Sequence, residues 1–242
     1  MTPIDKVYAS ITDAPWLRRN TLLMTKVGSH AYNLAGPSSD VDRTGVAYPE
    51  PEMAPGLKPS FQQRSTKAPN PDCTIFELRK FLSCALDGNP AFLDPLFCRD
   101  EDAVRSETSI MGWNLRSLRQ SFLSQKMTNA YLGYAQSQIK RFVNGKATGG
   151  LNYKSGMHAI RACRVLRRAH SEGVVEVYRG GDRDELIAIR SGTMTQEAVL
   201  RLAAYEEQLA KDAEKRSVLP KEPDDATVND WCMDTLRIWV MG

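Results

Sequence analysis

The densest chemistry in the chain lies in residues 28–45, GSHAYNLAGPSSDVDRTG. Asp40 and Asp42 flank a single valine. Side chains alternate along a strand, so both carboxylates point one way while Val41 points into the core. Two carboxylates that close repel each other unless a cation lies between them. Hard divalent ions such as Mg²⁺ (or Mn²⁺) take oxygen ligands of this kind, with phosphate oxygens and waters completing the set. Upstream, Gly28 lets the backbone approach a ligand closely. Ser29 then opens a helix whose free N–H groups and positive dipole end favour phosphate. One element grips phosphates and the other holds the metal that bridges to them, which is the equipment for phosphoryl or nucleotidyl transfer.

The elements that must position these residues are legible around them. Residues 22–27 and 41–48 read as strands, with a short helix over 30–34 ended by Gly36-Pro37. Residues 49–71 are rich in Pro, Ser, Lys and Gln and read as a long loop. A β-like run at 73–76 leads into a helix at 77–86, with Leu78, Phe81, Leu82 and Ala85 on one face. Asp87-Gly88-Asn89-Pro90 stops it, and a shorter helix follows at 92–97. The second half reads as helices at 113–123, 128–142, 153–170, 196–213 and 228–240. Thr193 and Gln196 form a capping-box pattern before the fourth of these, and Gly149-Gly150 a hinge. Residues 174–178 and 186–189 read as either a small hairpin or a loop. Trp113, Trp231 and Trp239 read as core residues, and Tyr131 and Tyr134 as packing, with stacking on a base the alternative.

The totals bound the class. Of 242 residues, 42% are hydrophobic and 25% charged, which excludes a disordered chain. No run of about 18 apolar residues predicts a membrane span. The N-terminus lacks the basic head and apolar stretch of a signal peptide, so a cytoplasmic protein is expected. The five cysteines form no CxxC and none sits at zinc spacing from a histidine, so reduced thiols are expected and a structural zinc is not. Net charge is +3, but residues 108–171 hold eleven Lys and Arg and no acid, leaving −8 for the remainder. That asymmetry predicts a basic region facing something anionic, phosphates first. It also suggests a division near residue 108, into 1–108 carrying the site and a mainly helical, basic 109–242.

Gly28-Ser29, nine residues, then Ser39-Asp40-Val41-Asp42 resembles the GS…SDxD signature of the DNA polymerase β-like nucleotidyltransferase superfamily. One departure is Asn33, where many members carry glycine; asparagine tolerates the left-handed geometry the turn requires. Four further blocks, TIFELRKFLSCALDGNPAFLDPLF, LNYKSGMHAIRACRVL, ELIAIRSG and SVLPKEPD, resemble the later blocks of RlaP-type nucleotidyltransferases, a family associated with RNA repair. The resemblance implies an α+β fold: a mixed nucleotidyltransferase sheet with helices, then a mainly helical C-terminal domain. It implies that Ser29 and nearby N–H groups hold the β- and γ-phosphates of a nucleoside triphosphate and that Asp40 and Asp42 bind two metal ions. A third carboxylate would come from a neighbouring strand, with Asp72 the choice and Glu77 in reserve. Lys154, with His158 and Arg161, matches the family's basic helix block.

The helix reading agrees on that block, since residues 154, 158 and 161 are i, i+4 and i+7 and share a face. Arg164 lies at its edge and Arg168 extends it. His30, directly after the Gly-Ser, is within reach of phosphate, although packing is the plainer reading. The implied reaction is in-line attack of a hydroxyl on the α-phosphate of an NTP with release of pyrophosphate. The +11 stretch points to an RNA end, such as that of tRNA, as acceptor. The alternatives are a protein or small-molecule acceptor, or a non-catalytic nucleotide- or RNA-binding module on the same fold.

Overall fold

The computed structural model describes residues 3–11, 14–37, 39–54, 61–66, 72–103, 110–145 and 150–241. Its centre is a four-stranded mixed sheet in the order β1-β2-β4-β3. β1 (Thr21–Lys26) carries a nearly continuous buried run and pairs antiparallel with β2 (Arg43–Ala47), so that Lys26 faces Arg43. β2 pairs parallel with β4 (Cys73–Glu77), Arg43 opposite Cys73. β3 (Gln63–Thr66) closes the far edge antiparallel to β4. This strand lies inside the segment read as loop. Only four residues long, with just Thr66 buried, it carries too little alternation to be seen in sequence.

Among the described residues, eleven helices surround the sheet: α1 (Pro3–Ala9), α2 (Leu17–Asn20), α3 (Gly28–Ala31), α4 (Leu78–Leu86), α5 (Pro90–Phe97), α6 (Ile110–Ser117), α7 (Met127–Asn144), α8 (Tyr153–Glu172), α9 (Arg183–Arg190), α10 (Gln196–Glu214) and α11 (Asp225–Met241). The two faces of the sheet are covered separately, as the strand period of two requires. Met24, Ala47, Cys73 and Ile75 pack against Val7, Tyr8, Ile11 and Phe61 on one face. Leu23 and Val46 join the larger cluster on the other, built from α4, α5, α7, α8 and α10. That cluster runs from Leu22 to Cys232 without a break. The proposed division at residue 108 lies outside the described residues, as do 55–60 and 67–71 of the long loop, Gly149 of the hinge and Lys146 of the basic stretch.

Several expectations are corrected. The strand expected at 41–48 begins at Arg43, so Asp40 and Asp42 precede it, and Val41 is half-buried instead of lying in the core. The helix expected at 113–123 ends at Ser117, and a 3₁₀ turn follows over Arg119–Phe122. Residues 186–189, read as hairpin or loop, belong to α9; Leu186 and Ile189 are buried at helical spacing. The cap of α10 is Thr195, whose side chain accepts a hydrogen bond from the Ala198 N–H, not Thr193. Trp231 and Trp239 are partly buried against the core, but Trp113 is 49% exposed.

Charge is distributed less simply than the count suggests. Among the described residues, six of the basic residues in 108–171 are ion-paired with acids outside that stretch. Arg116 meets Asp100, Lys126 meets Glu222 and Arg161 meets Asp94. Arg164 meets Asp182, Glu185 and Glu206, and Arg167 shares Glu206. Arg168 meets Glu172 and Glu176. Part of the basic stretch is therefore paired with the acidic remainder, while Lys126, Arg167 and Arg168 keep much of their side chains in solvent.

α6 packs on β1 through Gly112, where a Cβ would stand 2.2 Å from the Leu22 carbonyl oxygen. Gly112→Ala is expected to lower unfolding stability by about 1–3 kcal/mol through overpacking, read as a reduced denaturant midpoint at unchanged slope.

Candidate active site

Two backbone hydrogen bonds assemble the site. The Val27 N–H donates to the Asp42 carbonyl at 3.0 Å, and the Arg43 N–H to the Asp72 carbonyl at 3.0 Å. Residue 42 thus continues β2 between its neighbours, and the parallel register of Arg43 with Cys73 places residues 42 and 72 side by side. Gly28 adopts φ +66°, and a Cβ there would stand 2.8 Å from Asp42 Oδ2. Only glycine permits both the left-handed turn and the carboxylate lying against it. Ser29 is the second residue of α3 and is buried. Asn33 takes φ 62°, the geometry expected of it.

The charges around Asp42 define the site. Burial raises its pKa above the usual carboxylate value, and the Asp72 carboxylate raises it further, with Asp40 adding to both. Lys154 and His30 oppose that shift. The structure therefore brings Asp40, Asp42, Asp72, Lys154 and His30 into one electrostatic neighbourhood beside Gly28. Asp40 and Asp72 are exposed and Asp42 half-buried. None of the three is ion-paired among the described residues.

The fit of a metal rests on this donor set. Among the described residues, no three His, Cys, Asp or Glu side chains close into a metal cluster. The site instead offers all-oxygen, unpaired carboxylates whose mutual repulsion favours a cation. That chemistry suits a hard divalent ion taking part of its shell from phosphate and water.

Glu77 lies at the other end of β4, opposite Ala47. It is buried, caps α4 by accepting from the Lys80 N–H, and pairs with Arg79. This is a structural role away from Asp42.

Lys154 is exposed at the start of α8. One turn on, His158 sits edge-on to Tyr32 at 6.0 Å, its Nδ1 buried without a hydrogen-bond partner. Burial, followed by the positive charges of Arg161, Lys154 and Arg190, lowers its pKa from 6.5 to about 3, so the imidazole is neutral. Arg161 does not reach a phosphate site. It is 1% exposed, its guanidinium lies 3.6 Å from the Tyr32 ring centre, and it pairs with Asp94 at 3.4 Å. Tyr32 donates to the same carboxylate at 2.5 Å. The shared face held as far as His158; one turn deeper, packing of α5 and α7 covers it.

Sequence reasoning missed α9 as a brace. Arg190 donates to the Leu34 carbonyl and, at 3.0 Å, to Ser39 Oγ. Arg183 donates to the Asn33 carbonyl, and Asn33 in turn to the Arg179 carbonyl. His30 Nε2 lies 3.1 Å from the Ser39 carbonyl. The block ELIAIRSG was the signal, but nothing local in it names Leu34 or Ser39 as partners.

A glycine-serine corner against paired strand-end carboxylates, on a mixed α+β sheet, defines the polymerase β-like nucleotidyltransferase class. Within that class the chain belongs to the RlaP family, described as an RNA repair pathway DNA polymerase beta family, whose profile matches residues 15–234. It is 26% identical over 130 residues to an uncharacterized 38.9 kDa protein from the nrdC-mobD intergenic region of Enterobacteria phage T4. That alignment covers 50% of this chain and 38% of the phage protein. A nucleotidyltransferase-like protein from Exiguobacterium sibiricum superposes with TM-score 0.29 and 9% identity, over 88% of this chain and 74% of that one.

Two outcomes follow. Replacing Arg161 with methionine leaves Asp94 buried and unpaired, so Arg161→Met is expected to lose about 3–5 kcal/mol of unfolding stability, with Asp94→Leu restoring part of it. His158 binds its proton far more weakly folded than unfolded, so its contribution is intact above pH 6.5 and lost as pH falls from there toward about 3. The slope is at most about 1.4 kcal/mol per pH unit. His158→Gln should flatten the acid limb of a stability–pH curve by one proton relative to wild type.

Proposed function

We propose that the protein is a metal-dependent nucleotidyltransferase that moves an NMP from an NTP to a hydroxyl acceptor, releasing pyrophosphate. One observation carries the reading: Asp42 lies against Gly28 with Asp72 beside it on the parallel neighbour, so phosphate-binding backbone and paired carboxylates share one spot. Asp40, Asp42 and Asp72 would hold Mg²⁺ or Mn²⁺. When bound, the ions would lower the pKa of the attacking hydroxyl and stabilise the leaving pyrophosphate. Gly28 keeps the corner open to the triphosphate, and Ser29 with the N–H groups near it would cradle the β- and γ-phosphates. Lys154 supplies a point charge toward the triphosphate. Neutral His158 offers a hydrogen bond without competing for a proton near pH 7. Arg161, buried on Asp94, positions α8 and with it Lys154.

The family's association with RNA repair supports an RNA end, with tRNA a candidate, as acceptor. Among the described residues, the ion pairing of six of the basic residues in 108–171 favours a second reading, in which the same chemistry acts on a protein or small molecule.

Incubation with each α-labelled NTP, Mg²⁺ or Mn²⁺, and separate pools of tRNA, lysate protein and metabolites tests both readings. Label in RNA that disappears in Asp42→Asn is the expected outcome, with a loss of at least about 10³-fold. Label in protein or metabolite selects the second reading. NTP bound without transfer to any pool would remove the enzyme claim.

A further inference from the structure

Beside β1, α6 and the turn after it border a cavity of about 330 Å³ lined by Asp100, Trp113, Arg116, Ser117, Arg119 and Gln120. None of these residues belongs to the site around Asp42. Trp113 presents half of its surface to solvent. The Arg116 guanidinium lies 5.8 Å from the indole centre. Its side chain is 3% exposed, and Nη2 donates to the Cys98 carbonyl while Nη1 stands 3.0 Å from Asp100. Nε and Nη1, however, are both buried without a hydrogen-bond partner, the Asp100 contact of Nη1 being an ion pair only. An unpartnered buried donor on a charged group is unfavourable by itself and favours a ligand that accepts from it. Arg119 is exposed, lies 5.6 Å from the Phe97 ring centre, and has no ion-pair partner among the described residues.

The lining thus combines an open aromatic face with two guanidiniums, an amide and a hydroxyl, against one carboxylate. Single-stranded nucleic acid is held by this combination: a base stacks on the ring while arginine takes the backbone phosphate. The position connects to the reaction site along one sheet edge. The turn containing Asp100 reaches Asp102, which pairs at 3.4 Å with Lys26. Lys26 adjoins Val27, whose N–H holds the Asp42 carbonyl.

We propose that the Trp113 cavity is a nucleobase-stacking site that anchors a single-stranded RNA beside the reaction centre. This rests on the nucleotidyltransferase reading with an RNA acceptor. Of the four tryptophans, Trp113 is the one that carries the binding.

The test uses the full chain and a fluorescently labelled oligoadenylate RNA hexamer, with anisotropy as the readout. Trp113→Ala is expected to weaken binding about tenfold or more, and Trp113→Phe to retain most of it. Arg119→Ala should weaken binding and reduce the slope of log affinity against log salt by about one. Binding of an NTP analogue should be unchanged in all three, with circular dichroism matching wild type. Unchanged hexamer affinity in Trp113→Ala, or no hexamer binding by wild type, overturns the proposal, even where NTP transfer to RNA persists. Hexamer binding lost in Trp113→Ala, in a protein that transfers from no NTP, upholds the site and removes the enzyme reading instead.

Discussion

The buried charge of Arg161 is the constraint on which the rest depends. A guanidinium withdrawn from water is tolerated only when its charge is met. Here Asp94 from α5 supplies the charge and Tyr32 the aromatic face, while Tyr32 also donates to Asp94. Burial works against the arginine's charge, and Tyr32 and Asp94 more than restore it, so its pKa is raised. The three groups come from the exit of α3, from α5 and from the middle of α8. None can shift without exposing a buried charge. The Gly-Ser corner and the first turn of α8, with Lys154, are therefore held in one fixed relation. A layer of arginines from α9 and the turn before it ties the same α3 exit from outside. The corner is thus clamped on two sides without any of these arginines reaching Asp42.

The carboxylates are positioned by a different device, strand register. Residues 42 and 72 meet because β2 and β4 run parallel with Arg43 opposite Cys73. A one-residue slip would turn every alternate side chain to the other face. The result is two acids close enough that one raises the pKa of the other, an arrangement unfavourable in isolation that favours a bound cation. Strain of this kind, together with the left-handed turn at Gly28, concentrates at functional sites.

What was legible in the sequence was local. Gly28, Ser29, Asp40 and Asp42 lie within fifteen residues, so their types and spacing could be read together. Most helices were visible because their apolar period is local too. The choice between Asp72 and Glu77 was not settled by local pattern, because Asp72 immediately precedes a five-residue strand that ends at Glu77 and only pairing with β2 separates them. The pairing within the basic stretch was hidden for a related reason. Arg164 meets Asp182, Glu185 and Glu206 across loops that composition does not see, so a count of charges cannot tell a paired arginine from a free one. Arg161 shares a helix face with Lys154 in projection, but two turns along the axis carry it from solvent into the core. Trp113 failed in the opposite direction: a large aromatic is buried by default, and only the packing of Gly112 on Leu22 shows which side of α6 faces the sheet.

The central claim is that the strand-end carboxylates and the Gly-Ser corner form one metal–triphosphate site. A crystal grown with Mn²⁺ and a non-hydrolysable NTP analogue addresses it directly through the anomalous signal. The account predicts a Mn²⁺ peak at Asp42 and Asp72, with the β- and γ-phosphates against Gly28 and Ser29. Mn²⁺ or the triphosphate bound elsewhere, with Asp42 and Asp72 left bare, would contradict it.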